Sequence, residues 1–208
     1  MGAEQTPATT RFPLVPPSSL SAAQKPVHDH VTSVSKFVFG ENPPFAWADD
    51  EGALIGPFTS MLYAPSTGTE FFDHAIKVGT DKRLPIRVKE LAILAVGGHF
   101  EAAYENYAHA QLAKLIGLSD EQVADALAGR EPVGLADAEI AAYRLALAMA
   151  NSKGPVSDEI WGQVREHFGQ EESAVLVFLI SSYAYIAMVL NAGAVPAALP
   201  AKTATAAA

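Results

Sequence analysis

Apolar residues recur along most of this chain at steps of three and four, the spacing of one helix face. Val27, Val31, Val34 and Val38 set the first such stripe between Ser21 and Phe39, with Pro26 suited to an opening turn. The stretch GENPPFAWADDEGALIGPF is dense in turn formers and aromatics and predicts a packed loop. Short helices are expected over 58–63 and 69–78, then a longer one over 85–96 with Pro85 in its first turn. Gly97 and Gly98 interrupt that pattern, and a new helix runs to about Ile116 and stops at Gly117. Ser119 with Gln122 three residues on is a capping box for a helix that ends at Gly129. Three further helices are expected over 137–151, 157–168 and 171–192, the second capped by Ser157 ahead of Asp158 and Glu159. No segment alternates with a period of two, and hairpin dipeptides are absent, so the fold class is all-α.

Composition narrows the function. Half of the 208 residues are hydrophobic and 18% are charged, a globular balance. The net charge of −9 without any Lys/Arg run gives nucleic acid no electrostatic handle. With no cysteine, thiolate chemistry, disulfides and cysteine metal sites are excluded. Residues 1–19 are expected to be a flexible arm, 20–198 a single all-α domain and 199–208 a disordered tail. The arm has no apolar signal region and only loosely fits a myristoylation pattern, so a cytoplasmic protein is expected. The run AVLVFLISSYAYIAMVL is short for a membrane span and holds two serines and two tyrosines; a core or subunit-contact helix is the better reading.

The segment HFEAAYENYAH, residues 99–109, gathers two glutamates, two tyrosines and two histidines. On a helix at 100° per residue, Glu101, Glu105 and His109 share one side with Ala108, Leu112, Leu115 and Ile116. That is the side expected to enter the core, where a carboxylate must be paired or stay protonated. Glu90 lies in line with Ile86, Ile93 and Leu94 on a helix apolar almost all round. It either belongs to the same site or pairs with Arg87 or Arg83.

Taken together, LIGPFTSMLYAP, LPIRVKELAIL, YENYAHAQLAKLIGLSDEQV and Asn191 before Val195-Pro196 resemble the carboxymuconolactone decarboxylase and alkylhydroperoxidase-D-like superfamily over roughly residues 54–196. Redox members of that superfamily carry a glutamate, eleven residues, a CxxC pair, and a histidine four places after the second cysteine. Counting from Glu90 puts the cysteine positions at Ala102 and Glu105 and the histidine at His109, with Tyr104 matching the tyrosine of that motif. The resemblance therefore implies a cysteine-less member that keeps Glu90, Tyr104 and His109 and cannot reduce peroxide through a thiol pair. The decarboxylase branch also has a glutamate four residues before the histidine, although Glu90 departs from its pattern.

Glu105, His109, Glu90 and Tyr104 are thus the candidate catalytic residues, a proton-transfer set. Glu101, His99, Arg87 and Tyr107 are the candidate substrate contacts. Arg87 and Lys89 can hold a substrate carboxylate or ride on a helix surface as solvated charges, and His99 can line a pocket or cap a helix. His28, His30, His74 and His167 lack partners at useful spacing and are read as surface residues. A neutral glutamic acid beside a histidine suits a cofactor-independent lyase or isomerase acting on a small carbonyl-bearing organic acid or lactone. The same parts suit a dehydratase or a lactone-opening enzyme, and a non-catalytic oligomeric helical protein is the alternative of another class. No cofactor and no metal are expected. The partners expected are a small-molecule substrate and further copies of the chain, as a trimer or hexamer, with no nucleic acid and no membrane.

Overall fold

The computed structural model describes residues 10–40 and 42–197. The myristoylation pattern and the tail fall outside them. Among the described residues the chain is helical, with one isolated antiparallel bridge between Ala48 and Leu54 and no strand. The helices are α1 (Gln24–Phe39), α2 (Pro57–Met61), α3 (Pro65–Thr80), α4 (Ile86–Phe100), α5 (Ala103–Leu115), α6 (Asp120–Leu127), α7 (Asp137–Asn151), α8 (Asp158–His167) and α9 (Gln170–Ala192).

The centre is α4, whose residues 88–97 are all buried. A helix apolar on every side needs neighbours on every side, and α4 packs on α5, α6, α7 and α9. Its tightest partner, α7, offers Ala141, Ala142, Leu145 and Ala146, small residues that let two backbones approach. A second cluster joins α1, α2 and α3 through Val27, Val31, Phe58 and Phe72. A third joins the 40–56 loop to α5 and α9 through Phe45, Ile55, Tyr104 and Leu190.

Three local features differ from the sequence reading. Gly97 and Gly98 do not end α4, which continues through them to Phe100. A Cβ at Gly98 would stand 2.2 Å from the Leu127 carbonyl oxygen, so the glycine permits close approach of α6 rather than a break. The break falls at Glu101, which adopts left-handed φ 52° and ψ 37°. Glu101 therefore sits on the turn before α5 and not on the α5 face. Lastly, the described part of the arm is fastened down. The Arg11 amide donates to Gly193 O at 2.8 Å, and the Tyr63 hydroxyl donates to Pro13 O at 2.8 Å.

Gly98→Ala should destabilise the fold by about 1–3 kcal/mol, because the atom in its way is backbone and cannot rotate aside. Urea unfolding checks this. A midpoint equal to that of the wild type would mean that α4 and α6 can separate freely.

Candidate active site

An apolar cavity of about 450 Å³ opens between α3, α4, α5 and α9. Its walls are largely aromatic, with Phe39, Phe45, Phe58, Phe71 and Phe72 among them. Glu90, Tyr104, Glu105 and His109 all line it. The spacing read from the sequence thus brings two residues of one α5 turn face to face with a glutamate of α4.

Glu90 and His109 form a direct pair, with Oε2 to Nδ1 at 2.8 Å and both side chains largely buried. A carboxylate only accepts, so Nδ1 carries the shared proton, and in the neutral imidazole Nε2 then keeps its lone pair. Glu90 therefore fixes the tautomer of His109. The alternative pairing of Glu90 with an arginine is not formed: Arg87 binds Glu139 at 2.6 Å, and Arg83 binds Asp81.

Glu105 is in a different state. It is 2% exposed, and neither carboxyl oxygen has a hydrogen-bond partner. Its place in the first turn of α5 favours a negative charge. Burial opposes that and wins, pushing the Glu105 carboxyl well above the ordinary carboxylate range. It is a neutral acid inside an apolar cavity.

Tyr104 lines the cavity with its ring, but its proton is committed, since the hydroxyl donates to Ala46 O at 2.7 Å. Any Cβ at Gly56, itself at φ +64°, would overlap that ring, so the tyrosine clamps the 40–56 loop onto α5. Burial raises the phenol further out of reach of ionisation. Tyr104 is placed as a wall and a clamp rather than as a free proton donor.

The expected substrate contacts lie elsewhere. Glu101 is exposed at its turn, and His99 is exposed with its ring edge-on to Phe100 at 4.9 Å. Arg87 is held at Glu139, outside the cavity lining. Tyr107 faces a separate groove with Trp47 and Asp49. For Glu101 and His99 the cause is the left-handed residue at 101, which swings the segment before α5 away from the face that a continuous helix would give it. Leu115, counted on that face, is likewise exposed. His28, read as a surface residue, is buried and bonds Gly52 O at 2.9 Å.

Two further residues line the cavity: Lys89, weighed from sequence as a carboxylate holder or a surface charge, and Tyr183, which the sequence reading did not single out. Lys89 is 6% exposed, and its ammonium donates to Gly79 O at 2.6 Å and Asp81 O at 3.0 Å at the C-terminal end of α3. Burial depresses its pKa below the ordinary lysine value. Tyr183 of α9 stands edge-on to the His109 imidazole, ring centroids 5.0 Å apart. Its signal in the sequence was one of two phenols, beside two serines, inside a long apolar run. Among the described residues, no three His, Cys, Asp or Glu side chains are grouped as a metal site would need.

Comparison with known proteins bears on the fold. Residues 66–148 match the family model described as the carboxymuconolactone decarboxylase family. Over those residues the chain is similar to that family, and its fold is the alkylhydroperoxidase-D-like helical one. Solved structures with this fold superpose along most of their length. An uncharacterised peroxidase-related protein from Ralstonia eutropha JMP134, with an alkylhydroperoxidase AhpD core, matches at TM-score 0.70 and 14% identity, covering 89% of this chain and 90% of its own. A peroxidase-related protein from Silicibacter sp. TM1040 matches at 0.71 and 10%, covering 93% and 94%. A cysteine-to-alanine variant of the debrominase Bmp8, in complex with 2,3,4-tribromopyrrole, matches at 0.69 and 16%, covering 91% and 94%. No curated protein sequence matches. Against the redox motif of the superfamily it resembles, this chain has Ala102 buried at the cap of α5 and Glu105 in the cavity at the second cysteine position.

Proposed function

We propose that this chain is a cofactor-independent lyase or isomerase that moves protons beside a carbonyl in a small organic acid or lactone. The observation that carries the reading is the coexistence in one apolar cavity of a neutral, unpartnered acid, Glu105, and an imidazole whose Nε2 is freed by Glu90. One group can donate a proton and the other can accept one, and tuning two groups in opposite directions is how a site performs both steps near neutral pH. A substrate carbonyl supplies the electron sink, so that no organic cofactor is needed. The debrominase with its bound tribromopyrrole supports a cavity of this fold as a place for a small cyclic molecule, although its chemistry belongs to that protein. With no cysteine in the chain, reduction of peroxide by a thiol pair has no reactant.

The test is deuterium incorporation and carbon dioxide release. The full chain is incubated in D₂O with β-keto acids, unsaturated lactones and cyclic ketones and followed by NMR. The expected result is exchange or decarboxylation that changes by no more than about twofold after chelator treatment and is lost in His109→Ala. Activity that a chelator abolishes and one divalent ion restores would make Glu105 or His109 a ligand and overturn the reading.

The active form is proposed to be a homo-oligomer, a trimer or hexamer, as the superfamily resemblance implies. Phe178, Tyr185 and Met188 form an exposed apolar stripe along α9, with Phe178 58% and Met188 62% exposed. Light scattering after size-exclusion chromatography should give a multiple of the 21.9 kDa chain mass. A monomer at micromolar concentration would refute this.

A further inference from the structure

Two hydroxyl groups in the cavity have nothing to donate to. The first is the protonated carboxyl of Glu105, whose oxygens are buried and unpartnered. The second is the phenol of Tyr183, whose hydroxyl has no hydrogen-bond partner among the described residues. Buried tyrosines ordinarily find an acceptor, and others in this chain do. Tyr143 donates to Ala126 O and Arg130 O at 3.1 and 3.0 Å, and Tyr104 donates to Ala46 O at 2.7 Å. Tyr183 is half-buried and lines the cavity. Burial, and then the nearby Glu90 and Glu105 carboxyls, push its ionisation far above the ordinary phenol value. The phenol therefore remains a donor, in the same small space as the Glu105 acid.

We propose that Glu105 and Tyr183 form an oxyanion hole of two side-chain O–H donors, that Tyr183 is a further catalytic residue, and that the ligand is an uncharged, enolisable ketone, ester or lactone with an apolar ring-sized body. This rests on the proton-transfer reading and narrows its substrate. The narrowing follows from the cations. Lys89 already gives two of its three N–H bonds to backbone carbonyls, and Arg87 is held by Glu139 outside the cavity lining, so a carboxylate entering the cavity meets one remaining Lys89 N–H and no arginine fork. A carbonyl oxygen instead meets two idle donors. His109 Nε2 removes a proton from the carbon next to the carbonyl. The C–H electron pair becomes the new C=C bond, and the C=O π pair moves onto oxygen, where Glu105 and Tyr183 hold it by hydrogen bonds. Where the substrate carries a β,γ double bond the enolate extends to the γ-carbon, and return of the proton from Nε2 to that carbon, with the double bond shifting into conjugation, completes an isomerisation. Nothing is oxidised or reduced.

The hole can be tested without turnover. Nitrophenols and naphthols of graded acidity present an aryl oxygen to the two donors, and their binding and ionisation are read by absorbance and fluorescence. Wild type should bind these compounds, with the bound form ionised at a pH below the solution pKa. Tyr183→Phe and Glu105→Leu should each weaken binding by about tenfold to a hundredfold, the range for one charged hydrogen bond, while Tyr185→Phe on the exposed face leaves it unchanged. Tyr183→Phe binding within about twofold of wild type, or wild type binding no compound at millimolar concentration, overturns the proposal. Should a variant not fold, wild type decides alone, since bound phenols that stay neutral also overturn it. Binding that depends on Tyr183 beside turnover that survives His109→Ala would keep the hole and sink the proton-transfer reading. The reverse pattern would remove the hole alone.

Discussion

Glu105→Gln should lower turnover by about 10²- to 10⁴-fold while leaving the protein at least as stable as wild type. Glutamine keeps the size of the side chain and one polar end but cannot deliver a proton. Stability should not fall, because the native carboxyl has no partner to lose. A buried group without a hydrogen bond costs about 1–3 kcal/mol, and Glu105→Leu should recover part of that. The sign of the pH dependence follows from the raised pKa. Below the unfolded value near 4.5 both states hold the proton and the carboxyl does not distinguish them. As pH rises above it, the unfolded chain releases the proton while the folded chain keeps it, so wild type loses stability at up to about 1.4 kcal/mol per pH unit until the folded group ionises. The gap between Glu105→Gln and wild type in denaturant unfolding should therefore widen from pH 5 to pH 8. A variant with full turnover and lower stability would make the carboxyl structural and end the catalytic reading.

The second large effect concerns the pair behind it. His109→Ala should also cost about 10²- to 10⁴-fold in turnover, and combining it with Glu105→Gln should lower activity little further, because two groups serving one step, one at carbon and one at oxygen, fail as a unit. Glu90 acts through His109 at 2.8 Å and is a positioning residue. Glu90→Gln leaves a side chain of the same shape that no longer enforces the Nδ1–H tautomer. The expected outcome is a fall in kcat of about 10²-fold or more with KM nearly unchanged. Independent, multiplying losses at Glu105 and His109 would show that they serve different steps.

Elements fixed by local chemistry were legible from sequence. The 137–151 helix has the expected bounds, and both bonds of the capping box between Ser119 and Gln122 are present. The cluster of Glu90, Glu105 and His109 in one cavity follows from i,i+4 spacing on α5 and from the apolar environment of α4. What was not legible depends on partners far along the chain. Arg87 finds Glu139 52 residues away, and Tyr183 meets a histidine of another helix. Gly98 reads locally as a breaker, yet its purpose is set by the backbone of α6. The left-handed turn at Glu101 carries no glycine or asparagine to announce it, so the helix start was placed early and two contacts were drawn to the wrong side.

The fastening of residues 10–13 bears on how the protein comes apart. The last carbonyls of a helix have no intrahelical donor, and ends so exposed fray first. On α9 those at Ala192 and Gly193 are taken by the side chain and amide of Arg11, with the Thr10 hydroxyl also on Gly193. A C-cap is thus supplied from more than 180 residues away. Tyr183, Ile186 and Leu190 occupy the same final turns and form part of the cavity wall. Opening that wall by fraying requires releasing both segments together. Amide exchange at the end of α9 should then follow the opening of the whole bundle, not that of a loose helix end.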